Sequence, residues 1–127
     1  MKFKSLHHVA IICSDYQKSK LFYTQILGGT IIQETYRIER DSYKLDISIA
    51  STQIELFSFP NPPTRISNPE ACGLRHPAFT VDSVEDIILE LNNKNIETEE
   101  IRIDQITNKK FTFFKDPDGL PIEIYEK

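Results

Sequence analysis

Residues 54–57, with the sequence IELF, recur 68 positions later as residues 122–125, IEIY. The same shift of 68 positions places residues 7–10, HHVA, on residues 75–78, RHPA. A repeat of this kind is looked for first, because a missed repeat leads to a wrong fold. The two matches suggest that the second half of the chain copies the first.

Both halves also keep the same distance between one histidine and one glutamate. His8 precedes Glu55 by 47 positions, and His76 precedes Glu123 by the same 47. One matching histidine could arise by chance, but two anchors at equal separation are hard to obtain by accident. The sequence therefore predicts two copies of one structural unit.

The first half has the predicted order β-α-β-β-β. Residues 6–13 are an apolar run suited to a buried strand. A helix is predicted over residues 19–27, with Asp15 as its N-cap and Gly28-Gly29 at its end. Runs rich in Ile, Thr, Tyr and Phe then predict strands over 30–39, 43–50 and 53–59.

The second half repeats this order. A strand is predicted over residues 74–81, followed by a helix over 83–94 that Asp82 or Ser83 would cap. The segment 116–119, DPDG, is a strong turn signal between two strands. The three strands predicted after the helix cover residues 97–106, 109–115 and 121–126.

The predicted fold class is α+β, with a single domain over residues 1–127. Its first module covers about 1–60 and its second about 71–127, and a proline-rich connector over about 60–70 joins them. Each module alone has about 60 residues, a length at which a core is marginal. The two modules are therefore expected to act together.

Composition excludes several classes of protein. The net charge of −4 argues against a nucleic-acid partner, and the longest apolar run, residues 9–13, is too short to span a membrane. The two cysteines, Cys13 and Cys72, form no disulfide framework, and no secretory signal is visible. These features predict a cytoplasmic protein.

The repeated histidines and glutamates predict a metal site. A glutamate between apolar residues of a strand, such as Glu55 or Glu123, is costly to bury without a partner. Two facing carboxylates would also repel each other. A divalent ion relieves both costs, and with His8 and His76 the set of two nitrogen and two oxygen ligands suits Ni, Zn, Co, Mn or Fe.

Simpler interpretations of the same residues stay open. If the sheet exposes this face to water, all four residues could be ordinary solvated side chains. Three neighbouring candidates also have structural interpretations: His7 points to the opposite strand face from His8, Asp15 suits a helix cap, and Arg75 could form a rim salt bridge or hold an anionic substrate.

Four segments resemble the vicinal oxygen chelate superfamily, also called the glyoxalase/bleomycin-resistance/dioxygenase family. They are LHHVAIICSDYQKSKLFYTQILGG (6–29), TQIELFSFP (52–60), GLRHPAFTVDSVEDI (73–87) and FFKDPDGLPIEIYE (113–126). The resemblance covers nearly the whole chain and is greatest to small bacterial glyoxalase I-like proteins. It implies two βαβββ modules whose sheets curl into a trough around a metal.

The resemblance also implies roles for individual residues. It makes His8, Glu55, His76 and Glu123 the metal ligands and Glu123 the base that transfers a proton, in a lyase or isomerase that acts on a small substrate with adjacent oxygens. Glyoxalase I holds glutathione partly through an arginine and an asparagine, and Ile12 and Phe59 stand at those positions here. A substrate that is smaller or less anionic than that of glyoxalase I is therefore left open.

Two other functions and the assembly are left open by the same resemblance. A non-catalytic member would use the trough to bind a small ligand, and an extradiol-type dioxygenase would need Fe(II) and only three of the four ligands. Members of the superfamily build the site within one chain or across a dimer. A homodimer is predicted here, because open sheet edges invite pairing.

Overall fold

The computed structural model describes residues 1–127, which form two compact units, Met1–Thr64 and Arg65–Lys127. Each unit contains one four-stranded mixed sheet and one main helix. The predicted α+β class and the β-α-β-β-β order of each half are confirmed.

The first unit contains, in chain order, β1 (His8–Cys13), α1 (Tyr16–Leu21), a π-helical segment (Phe22–Ile26), β2 (Thr30–Arg37), β3 (Ser42–Ile49) and β4 (Thr52–Ser58). Its strand order in the sheet is β1-β4-β3-β2. Strand β1 pairs in parallel with β4, and the other two pairings are antiparallel. A 3₁₀ turn, Ile38–Arg40, separates β2 from β3.

The helix of the first unit begins as predicted but changes its winding. The Asp15 side chain accepts a hydrogen bond from the backbone N–H of Lys18 at 3.1 Å, which confirms it as the N-cap. The prediction of one regular helix up to residue 27 was wrong in its second half, which is π-helical. The Thr24 hydroxyl donates to the carbonyl of Lys20, and such a side-chain bond competes with the helical ladder.

The two faces of the first sheet differ in chemistry. The buried hydrophobic side chains of β1, β3 and β4 share one face, and α1 packs against β4. They are Ile11, Cys13, Leu45, Ile47, Ile54 and Leu56. Because side chains alternate along a strand, the residues between them point to the opposite face, which carries ionisable and aromatic side chains.

The second unit contains, in chain order, β5 (Ala78–Val81), α2 (Val84–Asn93), β6 (Arg102–Ile103), β7 (Lys110–Lys115) and β8 (Pro121–Glu126). Its strand order, β5-β8-β7-β6, is equivalent to that of the first unit. The side chain of Ser83 accepts a hydrogen bond from the N–H of Asp86 at 3.2 Å, so Ser83, one of the two predicted residues, caps the helix. Helix α2 packs against β7 and β8.

Two predicted strands of the second unit are shorter than expected. The strand predicted over 74–81 begins at Ala78, because Pro77 has no N–H to donate, although its carbonyl accepts from Glu123 N at 3.0 Å. The strand predicted over 97–106 is reduced to β6. There the buried Thr112 hydroxyl donates to the carbonyls of Glu99 and Glu100, alongside the backbone bond from the Glu99 N–H to the Phe113 carbonyl.

No helix in the chain combines the length and the apolar character needed to cross a bilayer. Cys13 is buried and Cys72 is exposed, and both are free thiols.

Candidate functional site

In the first unit, His8 and Glu55 meet on the sheet face opposite the helix. Glu55 on β4 is the strand partner of Ala10 on β1. His8 lies two residues before Ala10, so its side chain is on the same face of the sheet as that of Glu55. His8 Nε2 is 3.3 Å from Glu55 Oε2. The Glu55 side chain is only 13% exposed, so this carboxylate needs a polar or charged partner.

The second unit contains the equivalent pair. His76 Nε2 is 2.9 Å from Glu123 Oε2, and the Glu123 side chain is 14% exposed. His76 lies just before β5 rather than within it, but the hydrogen bond from Glu123 N to the Pro77 carbonyl still holds the two segments side by side. The ring of His76 also packs edge to face against Phe113, with centroids 4.9 Å apart.

Both His–Glu distances fit two ligands of one metal ion. Bonds of about 2.1 Å to nitrogen and oxygen place neighbouring ligand atoms about 3.0–3.4 Å apart in octahedral or tetrahedral geometry. In neither unit, taken by itself, do three or more His, Cys, Asp or Glu side chains cluster closely enough to hold a metal. Each unit therefore offers two of the four predicted ligands.

The other ring nitrogen of each histidine is also engaged. His8 Nδ1 is 2.9 Å from Nδ1 of His7, and Arg75 Nη1 donates to His76 Nδ1 at 3.3 Å. Metal-binding histidines generally donate their other ring N–H to an acceptor, which fixes the ring orientation. Arg75 can only donate, so metal binding at His76 Nε2 would require this contact to be replaced, because a neutral imidazole bound through Nε2 carries its proton on Nδ1.

The surroundings of the two glutamates differ. Lys44 Nζ lies 3.4 Å from Glu55 Oε1 and 2.7 Å from Asp46 Oδ1, so one ammonium group offsets part of the negative charge of the two carboxylates. The hydrogen bond to Asp46, aided by the nearby charge of Glu55, raises the pKa of Lys44. In the second unit the strand partners of Glu123 are Phe113 and Ala78, which carry no charge.

Sequence reasoning missed Lys44 and Asp46. Alternation within the predicted strand 43–50 places Lys44 and Asp46 on one face, and this pattern could have marked them as neighbours. That this face meets Glu55 follows only from the sheet register, in which Asp46 pairs with Glu55. Of the two interpretations of Arg75, the structure shows the salt bridge, an exposed ion pair with Glu70 at 2.6 Å.

Comparison with known proteins identifies relatives over the full length. The Glyoxalase/Bleomycin resistance protein/Dioxygenase superfamily matches residues 5–124. The uncharacterized protein YwkD of Bacillus subtilis is 62% identical over 128 residues, covering all of both chains. The crystal structure of a glyoxalase family protein from Enterococcus faecalis superposes with a TM-score of 0.94 at 49% identity, covering 99% of this chain and all of that one.

A more distant relative has a named activity. The metallothiol transferase FosB of Staphylococcus saprophyticus is 29% identical over 124 residues, covering 96% of this chain and 76% of FosB.

Proposed function

This chain belongs to the glyoxalase/bleomycin resistance protein/dioxygenase superfamily, and from that premise we propose that it is a metal-dependent lyase or isomerase. Its substrate is a small molecule with two adjacent oxygens, and its reaction moves a proton at the carbon beside them. The proposed ligands are His8, Glu55, His76 and Glu123.

The observation that carries this proposal is the repetition of one His–Glu pair in both units. Each pair has its imidazole Nε2 within 3.3 Å of a carboxylate oxygen, and each carboxylate is withdrawn from water. Two imidazoles and two carboxylates, with no thiolate, suit Ni, Zn, Co, Mn or Fe. The relationship to FosB, named as a metallothiol transferase, supports metal dependence.

A divalent metal bound there would polarise the substrate oxygens and make the neighbouring C–H more acidic. The chain itself supplies the base and the ligands. Glu123 is the proposed base, because a carboxylate flanked by Phe113 and Ala78 has no ammonium competing for its lone pairs. Glu55 is the proposed static ligand, because Lys44 already holds one of its oxygens.

Replacement of single ligands tests the proposal. We expect about one metal per completed site in protein purified without chelator, and less than about 0.2 metal per chain after reconstitution would contradict it. Glu55→Gln and Glu123→Gln should both weaken metal binding. Glu90→Gln on the exposed face of α2 is the matched control and should not change it.

Proton transfer is tested separately at saturating metal. Loss of the substrate C–H signal in D₂O, followed by NMR with α-hydroxy ketones and hemithioacetals, should fall by about 100-fold or more in Glu123→Gln. Bound substrate with no exchange in the wild-type protein would favour the non-catalytic binding role. Exchange-free, oxygen-dependent turnover that survives Glu55→Gln would favour a dioxygenase.

We further propose a cytoplasmic homodimer. Strands β1 and β2 are edges of the first sheet, and β5 and β6 are edges of the second, so unpaired backbone groups are available for association. Complementation can locate the metal site. A mixture of a His8/Glu55 double variant with a His76/Glu123 double variant regains metal binding only if one site draws ligands from two chains.

A further inference from the structure

Each unit places one arginine over two phenylalanine rings on the sheet face that carries its His–Glu pair. In the first unit the guanidinium carbon of Arg37 is 4.9 Å from the ring centre of Phe57 and 5.7 Å from that of Phe59. In the second unit Arg102 lies 5.2 Å from the ring centres of both Phe111 and Phe113. Stacking on aromatic rings holds a guanidinium plane in a fixed orientation.

The two arginines differ in how their charge is balanced. Arg102 Nη2 is 2.6 Å from a carboxylate oxygen of Glu99, which neutralises it. The Arg37 side chain forms no ion pair with any Asp or Glu of the chain, and its one hydrogen bond runs from Nη2 to the Ser42 hydroxyl at 2.9 Å. Its Nε is buried and has no acceptor. A half-buried cation without an anion is costly, and a bound anion would remove that cost.

We propose that Arg37 is an anion-binding residue that holds a carboxylate or phosphate group of the substrate. A guanidinium offers planar N–H donors that match two oxygens of such a group, and only one of them is used within the chain. The two rings beneath it restrict its motion, so little side-chain freedom is lost when an anion binds.

The position of Arg37 relates this subsite to the proposed metal ligands. Phe57 is two residues from Glu55 along β4 and on the same face, a distance of about 7 Å along the strand. Resting on the proposed function, we infer that the substrate is a small anion whose charged group lies at Arg37, beside Phe57, while its adjacent oxygens lie at the metal beside Glu55. An apolar or purely cationic substrate would not fit.

An anion titration of the metal-free protein tests this subsite apart from the metal. The buried Nε–H of Arg37 should exchange slowly enough to give an observable ¹H–¹⁵N resonance, and the backbone amide of Arg102 serves as an internal reference. We expect a saturable shift of the Arg37 resonance with inorganic phosphate, with acetate, or with both, and no matching shift for Arg102. Phosphate alone would identify a phosphoryl group, whereas acetate would identify a carboxylate.

Variants complete the test. Arg37→Lys keeps the charge but loses the planar donors, and it should weaken the binding of the effective anion by about tenfold, measured from the backbone amide shifts of Ser42 and Phe59. Arg40→Lys makes the same change at an exposed position nearby and should leave binding unchanged. Equal binding by Arg37→Lys, or no saturable shift up to about 100 mM of either anion, would overturn the proposal. Metal binding is measured independently, so either hypothesis can fail alone.

Discussion

Lys44 lies against Glu55, with 3.4 Å between Nζ and Oε1, and no lysine or arginine lies in this way against Glu123. Asp46 is the strand partner of Glu55 and binds the same ammonium group at 2.7 Å. One cation therefore separates two neighbouring carboxylates. In the metal-free protein Lys44 therefore reduces the repulsion between these carboxylates, as we propose that the metal ion does when it is bound.

This arrangement predicts that Lys44→Met strengthens metal binding while it destabilises the metal-free protein. Without the ammonium group, the metal has no competitor for Glu55 and meets a more negative site, so the dissociation constant for Ni²⁺ or Zn²⁺ should fall by about tenfold. The metal-free variant should lose roughly 1 kcal/mol of unfolding free energy, because the two carboxylates then repel.

Isothermal titration calorimetry and urea denaturation measure these two effects. Lys115→Met, at an exposed lysine with no carboxylate partner, is the matched control and should change neither quantity. Weaker metal binding in Lys44→Met would show that Lys44 supports the site instead of competing with it.

The close packing around Gly29 leads to a second prediction, which concerns stability alone. A methyl group at this position would clash with the Ile47 side chain and lie 2.7 Å from the Tyr23 carbonyl oxygen, a backbone atom held in the π-helical segment. Gly29→Ala should therefore cost about 3 kcal/mol of unfolding free energy.

Gly28 provides the control for that substitution. Its φ of +76° disfavours a side chain, but a methyl group there would meet nothing within 4 Å. Gly28→Ala should cost only about 1 kcal/mol in urea denaturation, from the left-handed backbone alone. Equal losses at the two positions would mean that the contact with Ile47 is relieved by repacking.

The repeat made the fold and the two His–Glu pairs predictable, because it depends on spacing along the chain. Strands β4 and β8 agree with their predicted bounds to within a residue, and each His–Glu pair meets within its unit. Lys44 and Arg37 could not be found in this way. Their importance depends on which strands pair and in what register, and the alternation that places Lys44 and Asp46 on one face does not show that this face meets Glu55.

A third prediction concerns Thr112 and the stability of the segment before the short strand β6. This buried hydroxyl donates to the carbonyls of Glu99 at 2.8 Å and Glu100 at 3.1 Å, and so attaches the segment before β6 to the sheet. Thr112→Val keeps the side-chain volume and removes these bonds, so the unfolding free energy should fall by about 1 kcal/mol.

Hydrogen exchange gives the local measurement for this variant. The Glu99 N–H donates to the Phe113 carbonyl at 2.9 Å and should exchange faster in Thr112→Val than in the wild type. Thr80→Val, at an exposed threonine of β5, is the control. Unchanged protection of Glu99 would mean that its backbone bond alone holds the segment.

Glu34 predicts a pH dependence of stability. Hydrogen bonds from Lys20, at 2.6 Å, and from the Tyr16 hydroxyl lower the pKa of this carboxyl in the folded protein. A lowered folded pKa means that the unfolded state takes up the proton more readily, so the stabilisation is complete above the ordinary value of 4.5 and is lost as the pH falls through the folded pKa.

Glu34→Gln should therefore be less stable than the wild type at pH 7 and equally stable in acid. Because the carboxylate is 37% exposed and screened by water, the difference at pH 7 should be only about 0.5–1 kcal/mol. Denaturation of both proteins between about pH 7 and pH 3 should show this gap closing below about pH 5. Glu39→Gln, in the exposed 3₁₀ turn, should show no such trend. A gap that keeps its size down to the acid limit would mean that the Glu34 side chain acts through packing, with its charge contributing nothing.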